Sequence, residues 1–403
     1  MWRRIGGLGV LVLVAASCGP TGHTTMGSAE PSHGPSIASM PSATPTATPT
    51  PAGPLAACVG APEGEASAVW GFAVTAGQVT EVVSPDGSVI GQAPSTTGAA
   101  TVTVPVGVGL EGLYLYNEST GELSVLGKTG SAQDLGHISP TGPTDDVSLA
   151  ESPNGQCWIL SDTSWDNSMT ATSRLYIGGA EVAPYLVATL TRANQVSGTW
   201  GGGYQALRWD SSGVLLGADP TSVGGAGPFI GDGYGLATVV RMDPLSGTVS
   251  PPLCTKGRFG DVAPDGTLAC LTGQESDAQI VVTRPDGSTT TIDTGMKVAG
   301  QIGFAGGSSL LTYCTSDDVW NADGWTTDLL TVRLSGHTVS TSTLSSGDGP
   351  NQNESAYPWD KIVNGSSIVE IRGASGSTSL VMTNLATGQT TTIAPADSII
   401  GVL

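Results

Sequence analysis

An all-β fold built as a ring of small four-stranded sheets, a β-propeller, is predicted by three features of this chain. Residues 257–295, GRFGDVAPDGTLACLTGQESDAQIVVTRPDGSTTTIDTG, read as four short strands, with Asp-Gly at two of the turns between them. Gly accepts the positive φ such turns need, and four antiparallel strands in about 40 residues make one propeller blade. Second, two sets of similar turns recur along the chain and alternate from residue 151 onward. Third, the last six residues, SIIGVL (398–403), form one strand too many for the final sheet. They suit the innermost position of the sheet begun by SAVWGFAV (67–74), which would close the ring and remove exposed sheet edges.

Residues 1–17 read as a secretory leader. Arg3 and Arg4 precede an apolar run from Ile5 to Ala16 that is too short to span a bilayer as a mature helix. Val14-Ala15-Ala16-Ser17-Cys18 resembles a bacterial lipobox, with Ala15 where that family usually has Leu. The resemblance implies lipidation of Cys18 and anchorage of the chain to the outside of the cell membrane. The alternative is ordinary signal-peptidase cleavage with Cys18 incidental.

Residues 18–54 follow as a tether rich in Pro, Thr, Ser, Ala and Gly, ending in PSATPTATPTPAGP. Such a segment has little to bury and Pro keeps it extended, so it is expected to be a disordered spacer. From 55 to 403 the composition turns to Gly, Thr, Ser and Val, and β-branched runs alternate with Gly, Asn and Asp. That length is ordinary for a propeller, in which blades add without enlarging one core.

The first set of turns joins what should be the inner two strands of a blade: ESPNGQCWIL (151–160), WDSSGVLLG (209–217), APDGTLACL (263–271), AGGSSLLTY (305–313) and VNGSSIVEI (363–371). The second set should join the outer two. It comprises VVSPDGSVI (82–90), LYNESTGELSV (115–125), LYIGGAEV (175–182), RMDPLSGTV (241–249), TRPDGSTT (283–290), VRLSGHTV (332–339) and TNLATGQTT (383–391). Seven outer hairpins predict seven blades. The first two are closely spaced without a clear inner turn, so six blades is the alternative.

SPNGQCWILSD and APDGTLACLTG resemble the inner-strand signature of TolB-type and related WD-like propellers, a Ser-Pro-Asp-Gly turn followed by a buried strand. The resemblance extends over the propeller region as a repeat. The Trp-Asp pairs at 165–166, 209–210 and 359–360 do not share a blade position and read as coincidence.

In a blade of strands a to d, the a–b and c–d turns lie on one face of the ring, and the b–c loops and d–a links on the other. The first face carries only tight turns. The second carries the length: 161–173, 218–235, 272–279 and 315–328 as b–c loops, and 191–205 and 345–360 as links. Long loops on a rigid scaffold are where binding concentrates. The candidate ligand-binding residues there are Trp165, Asp166, Trp200, Phe229, Asp232, Tyr234, Asp317, Asp318, Trp320, Asp323, Trp325 and Trp359. Tyr357, Asp162, Glu275, Asp277 and Asp328 belong to the same loops and links. Aromatic rings among carboxylates suit stacking on sugars with hydrogen bonds to hydroxyls, or capture of a cation. For any one of these side chains, packing beneath its own loop or simple solvation is the competing explanation.

No cofactor is expected. Asp317, Asp318 and Asp323 are hard oxygen ligands of the kind calcium takes, but their spacing does not match the twelve-residue calcium loop. Catalytic material is sparse: His137 and His337 are the only histidines of the propeller region, and neither a G-x-S-x-G elbow nor a Walker loop occurs.

Apart from Cys18, the cysteines are Cys58, Cys157, Cys254, Cys270 and Cys314, an odd number for an oxidising compartment. Cys254 with Cys270 is the first choice of disulfide, and other pairings stay open. The formal charge of −20 becomes −22 once Arg3 and Arg4 leave with the leader. That argues against nucleic acid as a partner and against docking of the disc on anionic lipid. The expectation is a monomeric, lipid-anchored envelope protein that binds a partner protein or a glycan. A carbohydrate-active propeller using loop-face carboxylates is the runner-up, and a purely structural envelope protein a third reading.

Overall fold

The computed structural model describes Cys58 and residues 69–94, 103–139, 146–166, 170–180, 182–193, 203–218, 238–273, 278–295, 298–305, 307–316, 326–335, 338–348, 361–364, 367–374 and 377–403. All lie in the unit Ala43–Leu403. The leader, Cys18 and the tether of residues 18–54 lie outside the described residues.

The described chain is all β, in seven antiparallel sheets arranged as a propeller. Blade 1 comprises β27 (Ser398–Val402), β1 (Phe72–Ala76), β2 (Val79–Val83) and β3 (Val89–Pro94), in that spatial order. Blade 2 is β4 (Thr103–Val108), β5 (Leu113–Asn117), β6 (Glu122–Leu126) and β7 (Ala132–His137). Blade 3 is β8 (Asp146–Glu151), β9 (Cys157–Trp165), β10 (Ala171–Gly179) and β11 (Val182–Arg192). Blade 4 has β12 (Tyr204–Asp210), β13 (Gly213–Ala218) and β14 (Thr238–Met242).

Blade 5 is β15 (Arg258–Val262), β16 (Leu268–Thr272), β17 (Gln279–Thr283) and β18 (Thr289–Asp293). Blade 6 is β19 (Val298–Ala305), β20 (Leu310–Ser316), β21 (Thr326–Ser335) and β22 (Thr338–Asp348). Blade 7 is β23 (Lys361–Asn364), β24 (Ser367–Ala374), β25 (Ser377–Asn384) and β26 (Thr390–Pro395). Seven blades therefore replace the six-bladed alternative.

The C-terminal strand closes the first sheet. Phe72 pairs with Val402 and Thr75 with Ser398, whose hydroxyls lie 2.5 Å apart. Trp70 N–H donates to the Leu403 carbonyl at 2.9 Å, and Trp70 Nε1 donates to the Leu110 carbonyl of blade 2 at 3.3 Å. The strand next touches β4, where the approach is close: a Cβ on Gly401 would stand 2.3 Å from a Val108 methyl.

Two expectations need correction. LYNESTGELSV joins β5 to β6, the middle strands of blade 2, and the outer turn of that blade is residues 127–131. A short b–c turn carries the same Gly and polar residues as an outer one, so the sequence does not separate them. The inner turn that was not evident is 109–112. In blade 4 the outer strand shrinks to a bridge between Met242 and Val249. Pro251 and Pro252 follow and have no N–H to offer a ladder.

Burial follows position in the blade. β13 is buried along its whole length because neighbouring blades cover both of its faces. β18 alternates, turning Thr290 and Ile292 inward and Thr289, Thr291 and Asp293 to solvent. The core is accordingly a series of layers between blades. Tyr114, Leu149, Trp158 and Leu160 pack between blades 2 and 3, and Phe259, Val239 and Cys270 between blades 4 and 5.

Two disulfides add covalent ties. Cys254 bonds to Cys270 across blades 4 and 5, and Cys58 bonds to Cys157 at the start of β9. Cys314, on β20, remains outside both bonds.

Candidate functional site

Among the described residues, two places in the ring hold side chains with chemistry. One is the rim that carries the long loops, and the other is a cleft on the opposite, short-turn face.

At the rim, β9 and β10 run further than expected. Ser161, Asp162, Thr163 and Ser173 are buried strand residues, and the b–c turn is only 166–170. Asp162 is thus part of the sheet, paired across from Arg174, and not a loop carboxylate. Trp165 ends β9 half-buried. Asp166 is exposed and its Oδ1 accepts from Thr170 N–H at 2.9 Å, so this carboxylate fixes the turn. The remaining candidates lie outside the described residues: Trp200, Phe229, Asp232, Tyr234, Asp317, Asp318, Trp320, Asp323, Trp325 and Trp359. So do Tyr357, Glu275 and Asp277, while Asp328 lies on β21.

Below this rim, blades 3 and 4 are joined by a hydrogen-bonded seam. Ser161 Oγ donates to the Tyr204 carbonyl at 2.6 Å, and Tyr204 N–H donates to Ser173 Oγ at 2.8 Å. Ala206 N–H donates to Ser148 Oγ and Gln205 Nε2 to Asp146 Oδ2, both at 2.8 Å. Buried polar groups satisfied in this way hold one arrangement, because any shift leaves an unpaired group away from water. The seam therefore fixes the strand ends from which 166–170, 193–203 and 219–237 leave the sheets.

The cleft is formed where the innermost strands of blades 1 to 4 reach the short-turn face. It is open to solvent, has a volume of about 310 Å³ and is lined chiefly by Val108, Leu110, Glu151, Leu207, Arg208 and Leu403. Sequence reasoning missed it, because its walls come from four separated stretches whose turns are short.

Glu151, at the end of β8, is buried. Its Oε1 accepts from the Tyr114 hydroxyl at 2.5 Å, and its Oε2 from Leu110 N–H. Burial pushes its carboxyl above the ordinary value, while these hydrogen bonds pull it back. The Tyr114 hydroxyl is pushed up as well, by burial first and by the neighbouring Glu151 charge second.

Arg208, near the end of β12, reaches across to blade 5. It pairs with Asp261 at 3.5 Å and donates to the Val262 carbonyl. Asp261 in turn accepts from Phe304 N–H of blade 6 at 2.7 Å. Burial raises the Asp261 carboxyl and the Arg208 charge draws it down. Among the described residues no cluster of His, Cys, Asp or Glu is arranged to hold a metal ion. The calcium candidates of 317–323 lie outside them.

No protein-family model matches the chain, and no curated protein matches it either. Solved structures similar to this chain include TolB-type propellers. The putative TolB of Agrobacterium tumefaciens is 18% identical with a TM-score of 0.35, over 65% of this chain and 86% of that one. TolB of Acinetobacter baumannii is 12% identical with a TM-score of 0.39, over 72% and 64%. The tricorn protease is also 12% identical with a TM-score of 0.39, over 82% of this chain but 26% of its own. None of these likenesses bears on a ligand or a reaction.

Proposed function

We propose that the chain is an extracytoplasmic binding protein, anchored through Cys18, that presents its long-loop rim to an envelope protein or a glycan. What supports the reading is the uneven distribution of chain length between the two faces. The short-turn face joins its strands by segments such as 109–112, 152–156, 211–212 and 284–288. The other face carries 193–203, 219–237, 317–325 and 349–360. A rigid ring that keeps one face trimmed and extends the other is a platform for recognition.

The extracytoplasmic part of the reading rests on the two disulfides, which persist in oxidising compartments and are rare in the cytosol. Lipid attachment rests on the lipobox-like run ending at Cys18. Its test is metabolic labelling with palmitate, which should mark the wild-type protein and not Cys18→Ala. Equal labelling of both would remove the anchor.

The rim is tested by capture from envelope extracts and by a glycan array, both with the full-length protein. Replacing Trp165, Trp320 and Trp325 together by Ala is expected to weaken capture by about thirtyfold or more, the usual effect of truncating an aromatic anchor. Retention of every partner by this variant would count against the rim. Turnover of a glycan that disappears in Asp317→Asn or Asp323→Asn would favour the enzyme reading instead.

A further inference from the structure

We propose that the Cys58–Cys157 disulfide is the mount of the ring. It passes tension from the N-terminal tether into blade 3 and keeps it off blade 1, whose pairing with the C-terminal strand closes the propeller. Only the source of that tension, an anchored N-terminus, is taken from the reading above, and the test needs no membrane.

The covalent path carries this. Tension on the residues before Cys58 has two ways into the ring. Along the backbone it arrives at Val69 and Trp70, and from there at β1. Through sulfur it arrives at Cys157, the first residue of β9. The bond closes a sequence separation of 99, and β1 to β7 lie inside the loop it makes. While the bond holds, a pull between the tether and blades 4 to 6 does not stretch that loop.

The two landing points differ in what they can withstand. β1 has five residues, and its inner neighbour β27 also has five, with a break in register between Ala73 and Val74. Past the strand ends, the backbone hydrogen bonds of Trp70, Gly71 and Leu403 continue the pairing. Losing it opens the ring, because the two strands come from opposite ends of the propeller. β9 is nine residues long, paired to β10 along its whole length and to β8 on its other side. Cys58 and Cys157 are each 1% exposed and pack with Ile159, Val214 and Leu216 of blades 3 and 4.

The mount lies on the face away from the rim. Cys157 directly follows the 152–156 turn and pairs with Gly179, beside the outer turn of the same blade. A tether pulling from there leaves the long-loop rim unobstructed.

The test is constant-force stretching of the full-length protein between its N-terminus and a handle at Gly273, on the rim of blade 5, for wild type and Cys58→Ser/Cys157→Ser. Forced opening follows the unfolding rate of the element under tension, so wild type should survive at least about tenfold longer than the variant at the same force. The variant's first step should release residues 69–94, up to about 90 Å of chain, and wild type should show no such step. Removing a disulfide also lowers stability at rest, chiefly through the unfolded chain. A second geometry therefore separates the two effects, with the pull between Gly273 and the 385–389 turn of blade 7, which loads neither β1 nor β9 directly. There the two proteins should differ by less than about threefold. Equal lifetimes under N-terminal pulling overturn the proposal. So does the blade 1 step in wild type, or a loss of lifetime just as large in the second geometry.

Discussion

Leu403 and Gly71 hydrogen-bond through their backbones in both directions, with Leu403 N–H donating to the Gly71 carbonyl at 2.9 Å and Gly71 N–H to the Leu403 carbonyl at 3.3 Å. Residues more than 300 positions apart in sequence thus form one hydrogen-bonded pair of an antiparallel ladder, and the ring has no free inner edge at its seam. Everything on either face depends on that seam, because it holds blade 1 between blades 2 and 7.

The seam leaves no room for a side chain at Gly401, whose Cβ would collide with Val108 of blade 2. Gly401→Val is expected to destabilise the protein by about 1–3 kcal/mol, the usual cost of overpacking. Urea denaturation measures this. A midpoint unchanged from wild type would mean that β27 and β4 are not packed together.

The two disulfides should differ in weight. Cys58–Cys157 closes a sequence separation of 99 and Cys254–Cys270 one of 16. Chain-entropy reasoning assigns about 4.7 kcal/mol to a 100-residue loop and about 3 kcal/mol to a 15-residue one. Replacing both members of the first pair by Ser should therefore lower the urea midpoint more than the same change in the second. Alkylation without reduction, followed by peptide mapping, should leave those four cysteines unmodified.

Glu151 sets a pH dependence whose sign can be worked out. Its pKa is raised in the folded chain, chiefly by burial, so the folded state holds that proton more tightly than the unfolded one. The resulting stability is fully present below the unfolded value, about 4.3, and is lost as pH rises through the folded value. The stability of wild type minus that of Glu151→Gln should fall from about pH 4 towards neutrality. A difference that stays level or grows would contradict the burial of this carboxyl.

Asp261 bonds to two blades besides its own, to Arg208 of blade 4 and Phe304 N–H of blade 6. Asp261→Ala should cost about 1–3 kcal/mol, because it leaves a partly buried N–H without its acceptor. A cost near zero would mean that water replaces the carboxylate.

How far the sequence could be read depended on how local the determining signal was. The Pro-Asp-Gly turns were legible because a positive φ falls at Gly87, Gly266 and Gly287, and Gly takes that conformation without strain. The extra strand at 398–403 was legible by counting strands. The 109–112 turn of blade 2 was not, since Gly-Leu-Glu-Gly lacks the Asn or Asp that marks most of the others. Asp162 was misplaced in a loop because a buried polar strand, Ser161 to Thr163, has the composition of a loop. The cleft was out of reach altogether. Leu110, Glu151 and Arg208 come to line one cleft only when three blades turn about a common axis, and no window of sequence contains that turn.

Hydrogen exchange of the segment 398–403, followed by mass spectrometry on the native full-length protein, addresses ring closure directly. With the amides of β27 paired to β1 and Leu403 N–H bonded to Gly71, this terminal peptide should exchange as slowly as the peptide spanning Phe72–Ala76. Complete exchange within seconds, at the rate of an unstructured tail, would show that the last strand is not part of the first blade.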